Sequence, residues 1–263
     1  MHALSLEYHD VVEGRDFDAS GFPGAGPASY KLTRTDFDRH LDAIAHEVRR
    51  PPSRALEWLK DMTRDPLFLT FDDGGLAAYT CIGDALERRG WRGHFLVTVQ
   101  RIGAPTFLSA AHIRQLRARG HVIGTHSYSH PTRMGACTPE RILDEWQRSV
   151  RVLADILGEP VVTGSVPGGY YARSVAEAAA QAGLKLLFTS APTTRCWTVD
   201  DCWVVGRYTV RRWTRAATAA ALASRRLRPR ASQWLVYNSL NLMRTLAGDH
   251  YTRLRERFWA ARV

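Results

Sequence analysis

The sequence has few cysteines and no long hydrophobic run. Its 263 residues include four cysteines and no CxxC pair, so disulfides are not expected to hold the fold together. A bridge between Cys196 and Cys202 remains compatible with their spacing. No stretch of eighteen apolar residues occurs, and residues 1–30 lack the basic-then-apolar order of a signal peptide. These absences argue against a disulfide-stapled secreted module and predict a cytoplasmic protein.

Acidic residues are in short supply relative to basic ones. Lys and Arg total 36 against 26 Asp and Glu, which gives a net charge of +10. This excess fits an anionic neighbour such as nucleic acid, an acidic membrane surface or an anionic substrate, and it also fits an arginine-rich composition without any partner. Because no nucleic-acid-binding motif accompanies the charge, we predict no nucleic acid partner. The hydrophobic fraction of 45% excludes a disordered chain.

Short apolar runs alternate with segments of helical periodicity along most of the chain. The predicted strands lie near residues 4–8, 67–71, 94–99, 122–125, 161–166, 184–189 and 203–210. The predicted helices lie near residues 37–48, 77–89, 112–119, 139–157 and 172–182. This alternation predicts an α/β fold with a parallel sheet and outer helices, either doubly wound or closed as a barrel. In both, functional side chains follow the carboxyl ends of the strands.

Polar residues cluster after four of the predicted strands. They are Tyr8-His9-Asp10, Asp72-Asp73, His126-Ser127-Tyr128-Ser129-His130 and Pro167-Gly168-Gly169-Tyr170. Adjacent carboxylates are costly unless a cation or a shared proton neutralises them. Two histidines and one aspartate suit Zn, Co, Fe or Ni, and the remaining aspartate could then act as a general base. Taken singly, each motif is also compatible with an ordinary turn or a surface histidine pair.

Three of these segments resemble the motifs of the NodB-homology polysaccharide deacetylases, carbohydrate esterase family 4. Thr70-Phe71-Asp72-Asp73-Gly74 and the His126–His130 segment match the first two motifs, and Pro167-Gly168-Gly169 resembles the third. The resemblance implies a distorted (β/α)7 barrel and metal-dependent hydrolysis of an N-acetyl group on a sugar. It implies Asp72 as general base and Asp73, His126 and His130 as ligands of one divalent metal, with zinc the expected ion.

The same resemblance assigns an oxyanion role to the third motif, and two departures from the family pattern matter. The backbone N–H of Gly168 or Gly169 would hold the oxyanion. Independently of the resemblance, Tyr170 is an aromatic residue near a strand end and is a candidate to stack on the sugar. Ser165 stands where many members have an arginine that orients the base. The late Leu-x-His motif that often supplies the general acid is also absent, since the only histidine after residue 200 is His250.

An early histidine is a candidate replacement for the missing acid. Tyr8-His9-Asp10-Val11 resembles the YHDV segment of the subgroup that includes the poly-N-acetylglucosamine deacetylases, where an early histidine supplies the acid. We therefore predict His9 as the general acid that protonates the leaving amine. The alternative is that His9 only buttresses the neighbouring loops.

The character of the sequence changes after residue 210. We predict a catalytic barrel over residues 1–210 and a basic, helical extension over residues 211–263 that packs on it. The 211–246 segment is also compatible with peripheral contact with an anionic membrane near lipid-linked glycans, or with docking of a glycosyltransferase or a second subunit.

Three functions are compatible with this sequence. The first is a metal-dependent carbohydrate N-deacetylase acting on an N-acetylated sugar in exopolysaccharide or cell-envelope glycan synthesis. The second is a deacetylase or amidase for a small metabolite, since one fold hosts several chemistries. The third is a non-catalytic glycan-binding homologue. The adjacent carboxylates at residues 72 and 73 argue against the third, because binding alone does not require them.

Overall fold

A computed structural model describes residues 1–242 of the chain. Its strands are β1 (Leu4–Tyr8), β2 (Val11–Val12), β3 (Leu32–Thr33), β4 (Leu67–Phe71), β5 (His94–Val97), β6 (Val122–Thr125), β7 (Thr163–Ser165), β8 (Leu186–Thr189), β9 (Trp197–Val199), β10 (Cys202–Gly206) and β11 (Tyr208–Thr209). Its helices are α1 (Ala25–Ala28), α2 (Arg34–Glu47), α3 (Ala55–Trp58), α4 (Gly83–Glu87), α5 (Ala110–Ala118), α6 (Pro139–Leu157), α7 (Arg173–Gln181) and α8 (Ala216–Ala223). Residues 227–242 are also helical.

Most of the strands form one curled, largely parallel sheet. Its order is β11-β1-β4-β5-β6-β7-β8-β10-β9, with β9 antiparallel to β10. The seven longer parallel strands (β1, β4, β5, β6, β7, β8 and β10) are the strands of the predicted distorted (β/α)7 barrel, which is confirmed. Strands β2 and β3 pair separately, in parallel.

A single residue, Arg207, separates β10, which pairs with β8, from β11, which pairs with β1 at the other end of the sheet order. Gly206 pairs with Thr189 in β8, and Tyr208 pairs with Leu6 in β1. Arg207 therefore lies at the closure of the barrel, between its first and last parallel strands. The single strand predicted over residues 203–210 is wrong in this respect, because the chain changes its pairing partner at Arg207.

Burial on both faces explains why the strands read as apolar runs rather than as alternating patterns. All five residues of β1 are buried, as are all four of β5, β6 and β8. The helix predicted over residues 139–157 is α6, which begins after the capping side chain of Thr138 and ends at Gly158 in a left-handed conformation. The helix predicted over residues 77–89 is a π-helical turn, Ala78–Ile82, followed by α4.

The structure also bears on cysteine pairing and on membrane-spanning helices. All four cysteines are free. Cys202 is in register with Val199 across the β9–β10 pair, so it does not face Cys196 and the two are not bridged. Among the described residues, no helix is long and apolar enough to cross a membrane.

The chain after residue 210 covers one side of the barrel. Helix α8 packs against α2 and buries Ala219 and Leu222 in the core. Arg226 forms an ion pair with Glu47 at the end of α2. The predicted division at residue 210 stays a prediction, and the part of the predicted extension over residues 243–263 lies outside the described residues.

Candidate active site

Three predicted metal ligands lie together at the carboxyl ends of β4 and β6. Asp73 Oδ1 is 3.6 Å from His126 Nε2 and 3.6 Å from His130 Nε2. Two ligands bound about 2.1 Å from a tetrahedral zinc ion are separated by roughly 3.4 Å. The triad therefore has the spacing and the donor set that one such ion requires, and the residues present fit it. The same three side chains form one of the two candidate ion-holding groups among the described residues.

Unusual backbone conformations hold the triad in place. Of the five non-glycine residues with positive φ in the described part of the chain, three are Asp73 (74°), Ser127 (64°) and His130 (62°). This left-handed region is unfavourable for residues with a Cβ and persists where surrounding contacts enforce it. The His130 backbone N–H donates to Ser127 Oγ at 3.0 Å, and the Ser129 N–H donates to Glu145 of α6 at 2.7 Å. These bonds make the 126–130 loop one turn with both histidines on the same side.

Ser165, at the end of β7, connects a metal ligand to the predicted base. His126 Nδ1 lies 2.6 Å from Ser165 Oγ and 3.2 Å from the Ser165 carbonyl oxygen. Ser165 Oγ donates to Asp72 Oδ1 at 3.1 Å. Because the Ser165 hydroxyl donates its hydrogen to Asp72, its oxygen can only accept a hydrogen bond from His126. The proton of the neutral His126 ring is therefore on Nδ1, and the lone pair of Nε2 faces Asp73.

Asp72 is held by an arginine that the sequence did not indicate. The Arg207 guanidinium donates from Nη1 to Asp72 Oδ1 at 2.7 Å and from Nη2 to Oδ2 at 2.8 Å. Arg207 also donates to Thr70 Oγ1 and to Glu7 Oε1, and its side chain is fully buried. The arginine that the resemblance would place at position 165 is absent, but Arg207, at the closure of the barrel, lies beside the predicted base instead. Such a pairing is visible only once the topology is known.

Burial and charge set the protonation of the site. Burial alone would raise the pKa of Asp72, yet the Arg207 guanidinium and His126 hold that pKa below its usual value. Burial raises the pKa of Asp73 to about 6, and the nearby Asp72 charge adds to this effect. Burial lowers the pKa of His126 to about 3 and also lowers that of His130. At neutral pH both histidines are neutral, as metal ligands must be, and Asp72 is ionised.

His9 lies beside the base. Glu7, His9 and Asp72 form the second candidate group, with one donor atom of each within 4.8 Å of the others. Arg207 already forms ion pairs with both carboxylates of this group, Glu7 and Asp72. The ring of His9 packs on Tyr30 with centroids 4.5 Å apart. His9 Nδ1 is buried and has no hydrogen-bond partner among the described residues.

A loop before β3 forms one wall of the site. Lys31 Nζ donates to three carbonyl oxygens of this loop, those of Phe17, Ser20 and Phe22, at 2.5, 2.7 and 2.6 Å. The Phe22 ring lies 5.0 Å from that of His130. Burial lowers the pKa of Lys31, although neighbouring aspartates oppose this. Neither Lys31 nor Phe22 is distinguished by the sequence around it, since a lysine that binds backbone carbonyls has no local signature.

The third motif forms a tight turn after β7. Gly168 and Gly169 have φ values of 66° and 70°, and a Cβ on Gly168 would collide with the carbonyl oxygen of Thr132. Tyr170 follows this turn, with the Arg133 guanidinium 5.8 Å from its ring centroid. The turn thus contacts the loop that carries His130, and the oxyanion and sugar-binding roles predicted for these three residues stay predictions.

Comparison with known proteins agrees with this geometry. The sequence model described as polysaccharide deacetylase matches residues 59–187, which include Asp72, Asp73, His126, His130 and the third motif. The chain is 30% identical over 103 residues to the Bacillus subtilis protein YheN, which is named as a putative polysaccharide deacetylase. The aligned region covers 39% of this chain and 35% of that protein. It is 26% identical over 154 residues to an uncharacterized 30.6 kDa protein of Geobacillus stearothermophilus, across 54% of this chain and 56% of the relative. The chain thus spans about a third to about half of the length of these curated relatives.

Solved structures with the same fold cover more of the chain. The deacetylase PplD of Streptococcus pyogenes, solved in complex with acetate, superposes with a TM-score of 0.64 at 17% identity, over 82% of this chain and 95% of that one. IcaB from Ammonifex degensii gives a TM-score of 0.67 at 21% identity, over 84% of this chain and 97% of that one. At such identities the likeness establishes the fold.

Proposed function

We propose that this chain is a member of the polysaccharide deacetylase family and a metal-dependent carbohydrate N-deacetylase. The match of residues 59–187 to the family's sequence model and the shared fold support this proposal. One observation carries the proposal. The triad of Asp73, His126 and His130 has the spacing of a single-ion site, and it lies directly beside Asp72, an ionised carboxylate held by Arg207.

Asp73, His126 and His130 would hold the ion, with Ser165 fixing the tautomer of His126. When bound, a divalent metal such as zinc lowers the pKa of water and polarises the acetyl carbonyl. Asp72 takes the proton of the attacking water. Its Oδ2 faces the triad, 3.9 Å from His126 Nε2, and Arg207 keeps it ionised until it accepts that proton.

His9 supplies the proton that the leaving amine needs. Amide cleavage requires protonation of nitrogen as the C–N bond breaks, and the residues near Asp72 offer few other donors. His9 lies within reach of the same space as Asp72, and its Nδ1 is not committed to another hydrogen bond among the described residues. The Gly168 and Gly169 backbone would stabilise the oxyanion of the tetrahedral intermediate.

The proposed substrate is an N-acetylated sugar in exopolysaccharide or cell-envelope glycan synthesis. The YHDV segment supports an N-acetylglucosamine polymer, since His9 stands where that subgroup has its acid. The structural neighbour PplD is a deacetylase that was solved in complex with acetate, which supports removal of an acetyl group as the reaction. We also propose that the protein acts on a precursor or lipid-linked intermediate in the cytoplasm.

The test combines metal analysis with hydrolysis. Purified wild type should hold about one zinc or similar ion per chain and release acetate from N-acetylglucosamine oligomers. His126→Ala should lose both the ion and turnover, whereas Asp72→Asn should keep the ion and lose turnover. Absence of metal in the wild type after reconstitution, or full turnover by Asp72→Asn, would refute the mechanism. Metal binding without acetate release from any N-acetylated sugar would refute the substrate class alone.

A further inference from the structure

The 227–242 helix turns an apolar stripe outward. Within it, Leu227, Trp234, Leu235 and Leu242 are 73%, 53%, 58% and 61% exposed. Ala231, Trp234, Leu235 and Leu242 lie four, seven, eight and fifteen residues after Leu227, which places all five along one side of the helix. A helix that packs on a globular domain ordinarily turns such a stripe toward the core.

The opposite side of this helix is anchored to the barrel, so the outward direction of the stripe is fixed. The Gln233 side chain accepts from the Thr209 N–H at 3.1 Å and donates to the Thr209 carbonyl at 2.9 Å, as a further strand would. Arg230 donates to Tyr208 Oη at 3.0 Å and to Thr194 Oγ1 at 3.2 Å. These bonds fix the rotation of the helix about its axis and leave the stripe in water.

The chain around the stripe is one-sided in charge. Residues 208–242 contain seven arginines and no aspartate or glutamate. Of these, Arg225 and Arg226 pair with Asp65 and Glu47, and Arg228 is exposed at the start of the helix. An apolar stripe with an aromatic residue, bordered by arginines and free of acids, has the composition of a helix that lies in the interface of an anionic bilayer.

We propose that the outward stripe of the 227–242 helix binds the surface of an anionic lipid bilayer. A second copy of the chain fits less well, because two copies of this acid-free region would bring like charges together. A bilayer surface offers anionic headgroups for the arginines and an acyl boundary for Trp234 and the leucines. The proposal rests on the exposure and charge of the helix and is independent of the proposed catalytic function.

The position of the helix connects this surface to the catalytic residues. Thr209, which Gln233 binds, donates through Oγ1 to Glu7 Oε2 at 2.7 Å. Glu7 in turn accepts from Arg207, which holds Asp72. The helix is thus joined by a chain of hydrogen bonds to the residues proposed for catalysis.

The test is sedimentation of the full chain with vesicles of phosphatidylcholine, with and without phosphatidylglycerol. The wild type should bind the anionic vesicles, and Leu235→Glu and Trp234→Glu should each lower the partition coefficient about tenfold or more. Ser232→Glu is the matched control, since it adds the same charge to the same helix outside the stripe and should lower binding far less. Thermal unfolding of each variant checks that the exposed changes leave the fold intact.

Three outcomes would overturn the proposal. The first is no binding of the wild type to anionic vesicles above the phosphatidylcholine background. The second is an equal loss of binding in Leu235→Glu and Ser232→Glu, which would assign binding to net charge alone. The third is a lipid-free dimer in sedimentation velocity that Leu235→Glu dissociates, which would assign the stripe to a second copy.

Discussion

Arg207 and Asp72 form a two-pronged ion pair across 135 positions of sequence, with both side chains buried. Arg207 lies where the chain passes from β10 to β11, so closure of the barrel and orientation of the proposed base depend on one residue. A buried arginine needs several acceptors, and Glu7, Thr70 and the Thr189 carbonyl supply the others. The hydrogen bonds of Arg207 therefore both join the strands at the closure of the barrel and orient Asp72, the proposed base.

Replacing Arg207 should damage stability and turnover together. Arg207→Met leaves Asp72 and Glu7 buried without their cation, so we expect a loss of about 3–5 kcal/mol in unfolding free energy. Arg207→Lys keeps the charge but not the two parallel hydrogen bonds, so it should fold and show a drop in kcat of about 10²-fold. Urea unfolding and acetate release measure the two effects. Arg173→Met, which removes an exposed ion pair with Glu177, should change neither.

Ser165→Ala should weaken metal binding without unfolding the protein. The change removes the Oγ that contacts His126 Nδ1 and Asp72 Oδ1, and loss of such an outer partner typically costs about 10–100-fold in metal affinity. Competition with a zinc-binding dye measures that affinity. Ser190→Ala is the control, because its hydroxyl donates to Glu7 and touches no predicted ligand. Equal affinities in the two variants would contradict the role given to Ser165.

The sequence predicted the longer parallel strands, the fold class and the polar cluster at the strand ends because those features are local. It did not predict the short strands β2, β3 and β9. Apolar runs mark buried strands, and Asp72-Asp73 and His126 to His130 are adjacent or closely spaced in the chain. Arg207 was missed because nothing near it in sequence distinguishes it from the other arginines of a basic chain. Its role comes from a pairing change at the barrel closure, which periodicity does not encode.

The role of Ser165 was also not predictable from the sequence. Judged by motif, it is a departure from the family and a reason to doubt catalysis. In the fold its hydroxyl joins His126 to Asp72, while the missing guanidinium arrives from another strand. The positive φ angles of Asp73, Ser127 and His130 were also out of reach, since only tertiary contacts hold non-glycine residues there.

Gly168 should tolerate no side chain, although Gly183 should tolerate one at the cost of backbone strain alone. Both have positive φ, but a Cβ on Gly168 meets the Thr132 carbonyl oxygen, whereas one on Gly183 meets nothing within 4 Å. We expect Gly183→Ala to lose about 1 kcal/mol of stability and Gly168→Ala to lose more and to lower turnover. Thermal unfolding and acetate release on the pair measure this. Unchanged turnover in Gly168→Ala would separate the turn from catalysis.

His9→Gln distinguishes an acid from a buttress. Glutamine fills a similar volume but cannot protonate the leaving amine, so kcat should fall about 10²–10⁴-fold while the metal content stays that of the wild type. If His9 only supports the loops beside Tyr30, glutamine should keep most of the turnover, and that result would reassign the acid.

Acid should destabilise the protein partly through His94, which is remote from the proposed metal ligands. His94 Nε2 accepts from the Ala55 N–H at 2.9 Å, and Nδ1 donates to the Leu69 carbonyl at 3.1 Å, so the folded state holds the neutral ring. Burial lowers its pKa from 6.5 to about 4. Because the unfolded chain binds the proton more readily, this contribution is present above about pH 6.5 and is lost as pH falls toward 4, an effect of roughly 2–3 kcal/mol. Urea unfolding of the chelated protein at about pH 7 and pH 4.5 should show a smaller acid loss in His94→Gln than in the wild type, whereas equal losses would show that His94 does not carry this dependence.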